Sequence, residues 1–248
     1  MSIAFFGATG GCANASLALS LKAKLTCRAL ARNPEKLTSL LIEQGISQSV
    51  IDSNLTIIKG GIDDKKSIIS TLKVDDNEIA SKIVSGIGGK PTLQFCLSEP
   101  VTLTDPTICQ RFTGILLEVL AELEKSIKTK PSIIVVSSTG ISDGPQDVPF
   151  GYRILYGYFL HAPHVDKKVM EKQLKGEEAA KLFSEVILVR PTLLTGSHLL
   201  SSGKGSVKVG TEEKPVLGYT VTRADVGEWI FKEFIEGKRE GGVYTLTN

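Results

Sequence analysis

The stretch Ile3–Leu19, "IAFFGATGGCANASLAL", decides how the chain folds. Four apolar residues run straight into a glycine turn, and a helical pattern begins at once. Gly7, Gly10 and Ala13 form a GxxGxxA pattern between that strand and that helix. Gly7 permits a tight turn, Gly10 lets backbone approach a pyrophosphate, and Ala13 allows the helix to pack closely on a sheet. The helix then points unpaired N–H groups and its positive dipole end at whatever the turn holds. In this strand–turn–helix setting the pattern implies a bound dinucleotide.

The same rhythm continues along the chain. Strand-like runs ("SIAFF", "LTCRALA", "LTIIKG", "SKIVSGIG", "SIIVVSS", "EVILVRP", "GGVYTLT") alternate with amphipathic stretches at Cys12–Lys22, Pro34–Gln44, Lys65–Lys73, Pro106–Lys128, Val165–Phe183 and Arg223–Glu236. Runs apolar on both faces, such as "IIVV" and "VILV", imply a parallel sheet covered by helices on each side. The expected class is α/β, a doubly wound parallel sheet (Rossmann fold) with a small C-terminal substrate-side lobe, as one domain over residues 1–248. Two segments break the rhythm, about 142–164 and about 195–220. Both follow C-terminal strand ends, where open sheets bind ligands, so both are expected on the substrate side. Tyr152, Tyr156, Phe159 and Leu160 would give that pocket apolar walls.

Composition narrows the function. The 248 residues carry a net charge of +2 with Lys and Arg scattered among Asp and Glu, so no basic face marks a nucleic-acid partner. The apolar runs fall far short of the roughly 20 residues a spanning helix needs, and the N-terminus lacks the basic segment of a signal peptide. A soluble cytoplasmic protein with no membrane partner is expected. Cys12, Cys27, Cys96 and Cys109 show neither a CxxC pair nor metal-type spacing with the three histidines. They read as structural thiols, with no metal site. "TRAD" at Thr222–Asp225 reads as a capping box for the helix that follows.

The second strand bears on cofactor choice. NAD-binding versions of this fold end it in an acidic residue that accepts hydrogen bonds from ribose hydroxyls. Here it ends in Arg32, followed by Asn33 and Lys36. A carboxylate repels a 2′-phosphate, and a guanidinium binds one through two parallel hydrogen bonds. The expectation is NADP(H) in preference to NAD(H).

Taken in order, "FFGATGGCANASL", "RALARNPEKL", "VSGIGG", "IIVVSSTG", "ILVRPTLLTG" and "TRADVGEWI" resemble the atypical short-chain dehydrogenase/reductases, in particular the NmrA-like and flavin-reductase-like NAD(P)-binding proteins. The resemblance covers nearly the whole chain. It implies that Gly7, Thr9, Gly10 and Gly11, with Cys12 beside them, surround the pyrophosphate and that Arg32 and Lys36 meet the adenosine 2′-phosphate. Ser85, Gly86 and Ile87 would line the cofactor after the fourth strand, and Ser137 and Ser138 would end the fifth beneath the nicotinamide. Pro191 and Thr192 would touch its carboxamide side through backbone. Where the family often has "GD", this chain has Gly60–Gly61, leaving Asp63 as the acidic candidate near the adenine.

Carbonyl reductases of that family carry Tyr-x-x-x-Lys on the fifth helix, often with a glutamate four residues after the lysine, one helical turn on. In "HAPHVDKKVME" this spacing aligns Lys167 with the lysine and Glu171 with the glutamate, and puts Pro163 where the tyrosine belongs. Neither Tyr152, Tyr156 nor Tyr158 has a lysine four residues later. His161 and His164 flank the vacant position, and histidine is the residue type whose ordinary range suits a general acid. Ser138 is a candidate to orient a substrate oxygen, and adjacent Lys168 competes with Lys167. A good hydride acceptor such as a flavin needs little beyond positioning, a route that tolerates Pro163. The expected activity is an NADPH-dependent reduction of a small carbonyl, quinone, flavin or conjugated molecule by a monomer or homodimer. The alternative is a non-enzymatic NADP(H) sensor that binds a protein partner. An epimerase, dehydratase or isomerase needs the same acid/base pair, and Pro163 weighs against it.

Overall fold

The computed structural model of the chain describes residues 1–89, 91–93, 101–152 and 161–248, without the side chains of 91–93, 101–103 and 161–163. Tyr156, Tyr158, Phe159, Leu160 and Cys96 lie outside the described residues, as do the side chains of His161 and Pro163. The chain begins β1 (Ser2–Phe6), α1 (Gly11–Lys22), β2 (Thr26–Ala31), α2 (Pro34–Glu43), α3 (Gln48–Asn54), β3 (Leu55–Lys59), α4 (Lys65–Leu72) and β4 (Lys82–Ser85). A short ribbon of β5 (Pro91–Leu93) and β6 (Val101–Leu103) precedes α5 (Ile108–Leu123) and β7 (Ser132–Val136). Then follow α6 (His161–Leu174), α7 (Glu177–Leu182), β8 (Glu185–Pro191), β9 (Leu193–Thr195), β10 (Lys208–Thr211), β11 (Thr220–Thr222), α8 (Arg223–Trp229, continuing as a π turn over Ile230–Glu236) and β12 (Gly242–Thr247).

Among the described residues the main sheet has eight strands in the order β10-β12-β8-β7-β4-β1-β2-β3. Every pairing in it is parallel except β10 with β12. The period-2 alternation of the strands sorts the core into two layers. Ile3 and Phe5 pack with α1, α2 and α8, while Ala4 and Phe6 pack with α4, α5, α6 and α7. This is the doubly wound sheet expected from the sequence. The order reverses between β1 and β4, which opens a crevice at their C-terminal ends.

The segment about 195–220 is less irregular than its glycines and serines suggest. Lys208–Thr211 adds the antiparallel edge strand β10, and Thr220–Thr222 pairs with Leu193–Thr195 in a parallel ribbon. The amphipathic stretch Val165–Phe183 is two helices, because the chain turns at Lys175–Gly176 and Gly176 becomes the N-cap of α7. The helix expected over Pro106–Lys128 is shorter at both ends, and the short α3 went unpredicted. No helix among the described residues is long and apolar enough to cross a membrane.

A buried ion pair ties α6 to the sheet. Glu171 on α6 takes two hydrogen bonds from Arg190 on β8, at 3.0 Å and 2.6 Å, and both side chains are buried. Arg190 and Lys175 also reach Glu212, just beyond β10, at 3.1 Å and 2.6 Å. Glu171 is therefore a fastening for α6 and β10. Glu171→Ala leaves a guanidinium buried without its main partner, and a loss of about 3–5 kcal/mol is expected in urea unfolding, with nucleotide affinity of the folded fraction unchanged.

Candidate active site

The glycine turn is built as its sequence requires. Gly7 has φ +75°, and a Cβ there would stand 2.6 Å from the carbonyl carbon of Gly86, so only glycine lets the first turn touch the loop after β4. Gly10 closes the turn by donating its N–H to the Gly7 carbonyl at 2.8 Å. Buried Asn14 on α1 donates to the Ala8 carbonyl at 2.9 Å and holds the turn from behind. No side chain caps α1 at Gly10. Its first amides and its dipole are left facing the crevice.

A cleft of about 210 Å³ lies against this turn. Gly10, Gly11, Cys12 and Ala13 form one wall, Ile87 and the two glycines after it another, and Val136, Ser137 and Lys167 a third, with Leu194 and Arg223 closing the side. The Lys167 ammonium donates to the Ile87 carbonyl at 3.1 Å and to the Val136 carbonyl, which holds it at the ends of β4 and β7. No carboxylate pairs with it among the described residues. Lys168 is absent from that lining and pairs with exposed Asp143. Ser137 is 5% exposed, and its Oγ has no hydrogen-bond partner among the described residues. A buried hydroxyl without a partner is costly, so an orphan in the wall of a cleft points to a ligand oxygen.

Asp166, next to Lys167, supplies a contact absent from the sequence reading. Its buried carboxylate accepts the N–H groups of Cys109 and Gln110, both at 2.9 Å, at the start of α5. This fixes α6 against α5 and aims Lys167 into the cleft, while Asp166 spends its charge on a helix N-terminus. Cys12 and Cys109 are buried in the cleft walls, and burial pushes their thiols up to about 12 and about 11. Arg223 and Lys167 pull the Cys12 thiol the other way, so both cations act on the turn.

Other candidates lie elsewhere. Ser138 is turned from the cleft and donates to the Thr139 carbonyl at 3.0 Å. His164 is half-buried in the first turn of α6 and is not part of the described lining, and His161 opens that helix. Asp63 does not reach the cleft, because Arg111 on α5 holds it in an ion pair at 2.6 Å. The Pro191 carbonyl accepts from the Thr139 amide at 3.1 Å and the Thr192 amide donates to Leu246 at 2.9 Å. Those two backbone groups tie β8 to its neighbours, and Leu194 is in the lining. Ser85 ends β4, buried, and Gly86 adjoins the turn. Arg32 and Lys36 are exposed beyond the end of β2, and the Arg32 guanidinium has no ion-pair or hydrogen-bond partner among the described residues. Thr9, at the tip of the turn, is also exposed.

The turn, the crevice, the uncapped helix and the orphan hydroxyl fit a dinucleotide. A family model described as NAD(P)H-binding matches residues 7–236. The chain belongs to this NAD(P)H-binding family. The resemblance to atypical short-chain dehydrogenase/reductases stands with it. A protein named reductase pytE of Aspergillus terreus is 41% identical over 258 residues, covering 99% of this chain and 97% of its own length. Another, oxidase pynE of Aspergillus niger, is 41% identical over 263 residues, covering 94% and 92%. Among solved structures, ChuY of Escherichia coli O157:H7, an anaerobillin reductase, matches with a TM-score of 0.67 at 18% identity over 99% of this chain and 96% of its own. A putative NAD-dependent epimerase/dehydratase from Bacillus halodurans matches with a TM-score of 0.64 at 20% identity over 100% and 94%. At those identities the solved structures speak for the fold.

The environment of the thiols is open to a direct check. With thiols raised to about 12 and about 11 by burial, Cys12 and Cys109 carry almost no thiolate at pH 8. Iodoacetamide at pH 8 is expected to leave both unmodified in the folded protein and to alkylate both in urea, read by peptide mass spectrometry.

Proposed function

We infer that this NAD(P)H-dependent oxidoreductase uses NADPH to reduce a small conjugated carbonyl, quinone or flavin-like molecule. The observation that carries the reading is the pairing, in one cleft, of an ammonium without a carboxylate partner and a hydroxyl without any partner among the described residues, Lys167 and Ser137. Bound NADPH supplies the hydride. Lys167 and Ser137 offer fixed donors to ligand oxygens at the strand ends, where negative charge develops as hydride is transferred. Pro163 leaves no tyrosine to hand over a proton, so an acceptor that spreads its new charge by conjugation suits the site and takes its proton from solvent. Tyr152 and Tyr219, whose rings meet edge-on with centroids 5.0 Å apart, bring the two substrate-side segments together and offer aromatic surface to such a molecule.

The preference for NADPH rests on Arg32. A partnerless guanidinium at the end of β2, with Lys36 in the next helical turn, suits a 2′-phosphate and gives no carboxylate to a ribose diol. The two relatives at 41% identity, one named a reductase and one an oxidase, support redox chemistry. We place this activity in the cytoplasm, in a monomer or homodimer.

Calorimetry with both nucleotides tests the cofactor half. Charged hydrogen bonds contribute about 1.5–3 kcal/mol, so Arg32→Ala should weaken NADPH roughly 10–100-fold by that figure while leaving NADH unchanged; equal affinity of the wild type for the two nucleotides would refute the preference. A panel of quinones, enones and flavins tests the rest. Lys167→Met should lower kcat/KM by about 10²–10³, the loss typical of one removed donor. If NADPH binds tightly but none of the panel is reduced, the sensor reading, which Pro163 favours, takes over.

A further inference from the structure

Arg223 opens α8 within the "TRAD" segment, and only part of that segment behaves as a capping box. Thr222 accepts the Asp225 amide at 3.0 Å, as a cap should. The Asp225 carboxylate does not turn back to the Thr222 amide, which donates instead to the Asn248 side chain at 3.0 Å. It accepts from the Thr222 hydroxyl at 2.7 Å, the Asn248 amide group at 2.9 Å and the backbone amides of Lys204 at 3.0 Å and Gly205 at 2.9 Å. Asp225 is thereby used up on neutral donors. It neutralises no cation.

Arg223 is left as a charge in an awkward place. A cation in the first turn of a helix opposes the helix dipole, and here the N-terminus of α1 lies alongside as a second positive pole. The arginine stem lies over the glycine turn so closely that a Cβ on Gly11 would sit 2.3 Å from Cδ of Arg223. Arg223 lines the same cleft as Ser137 and the turn, and the one hydrogen bond of its guanidinium among the described residues goes to the Gly196 carbonyl, at 2.8 Å. No carboxylate pairs with it there. With the Asp166 carboxylate of this cleft taken up by the amides of α5, these positive poles favour an anion there.

We propose that Arg223 is a cofactor-binding residue of this site, closing on the phosphates held by the glycine turn and coupling them to the strap 196–205. The inference rests on the nucleotide reading above. The strap is pinned to the first turn of α8 at both ends, by Arg223 at Gly196 and by Asp225 at Lys204 and Gly205. Gln44 holds its middle, accepting the Leu200 amide at 2.9 Å and donating to the His198 carbonyl. A guanidinium has five N–H groups, so one can stay on Gly196 while others meet phosphate oxygens. Nucleotide binding then stiffens the strap, which belongs to a segment assigned to the substrate side. Cofactor should bind first, and substrate should meet a strap already set.

Two ligands separate this role from a merely structural one. NADPH carries the pyrophosphate, whereas adenosine 2′-monophosphate offers the 2′-phosphate alone. Arg223→Gln keeps most of the stem over Gly11 and removes the charge. Calorimetry should find NADPH weakened roughly 10–30-fold in this variant, in line with the loss of a charged hydrogen bond, with adenosine 2′-monophosphate unaffected. Arg223→Lys should recover part of the loss, and Arg32→Ala should weaken both ligands. Hydrogen exchange over 196–205 should slow on adding NADPH to the wild type and stay unchanged in Arg223→Gln. Unaltered NADPH affinity in Arg223→Gln, or an equal loss for both ligands, would overturn the assignment while leaving the nucleotide reading intact. No heat from NADPH with the wild type would overturn that reading and this inference together.

Discussion

The close approach of two backbone turns, Gly7 against Gly86, is the constraint on which the site depends. β1 and β4 are neighbours whose onward connections leave to opposite sides of the sheet, and the crevice exists because the loops after them part there. A side chain on Gly7 would push the loops apart. With the turn closed, α1 begins immediately under it, uncapped, and its free amides face the crevice. β7 then delivers Ser137 and α6 delivers Lys167 to the same place. Lys167 is anchored on the carbonyls of Ile87 and Val136, so the loop after β4 both closes the turn and seats the lysine.

Two groups of cations differ in what they face. Arg190 and Arg111 are satisfied by carboxylates, the first in a buried bidentate pair and the second between Asp63 and Asp105. Lys82 and Arg28 are satisfied by helix C-terminal carbonyls, those of the last helix and of α4. These hold elements together. Lys167, Arg223 and Arg32 have no carboxylate partner among the described residues, and all three stand at the C-terminal edge of the sheet. The uncapped N-terminus of α1 lies between them. Cations in excess at the mouth of a cleft attract an anionic ligand, and an anionic dinucleotide is what the glycine turn is shaped to take.

Much of this architecture was legible in the sequence because it rests on local rules. The strands Ser2–Phe6 and Glu185–Pro191 coincide with their apolar runs, and Lys65–Leu72 begins at the cap Asp64. What escaped was set by partners distant in the chain. Lys208–Thr211 is a poor strand sequence, and it is extended because Thr245–Thr247 and the Glu212 ion pairs hold it on the sheet. Lys167 could be found by helical spacing, yet the aspartate that aims it could not, since Asp166 is explained only by amides on α5. Asp63 pairs with Arg111, 48 positions away, which no local pattern announces. Arg223 was hidden inside a pattern with an adequate local explanation, half of which the structure keeps.

Pro163 bears most directly on the chemistry. A tyrosine four residues before the lysine serves acceptors whose reduction leaves a localised alkoxide, which must be protonated as it forms. Pro163 has no side-chain donor, and Ser138 is spent on a neighbouring carbonyl. Ser137 remains, a neutral donor beside a cation. Two such donors stabilise a spread negative charge far better than they protonate a localised one. On the function proposed above, a proline at the tyrosine's position suits acceptors whose own electrons carry the charge until solvent supplies the proton.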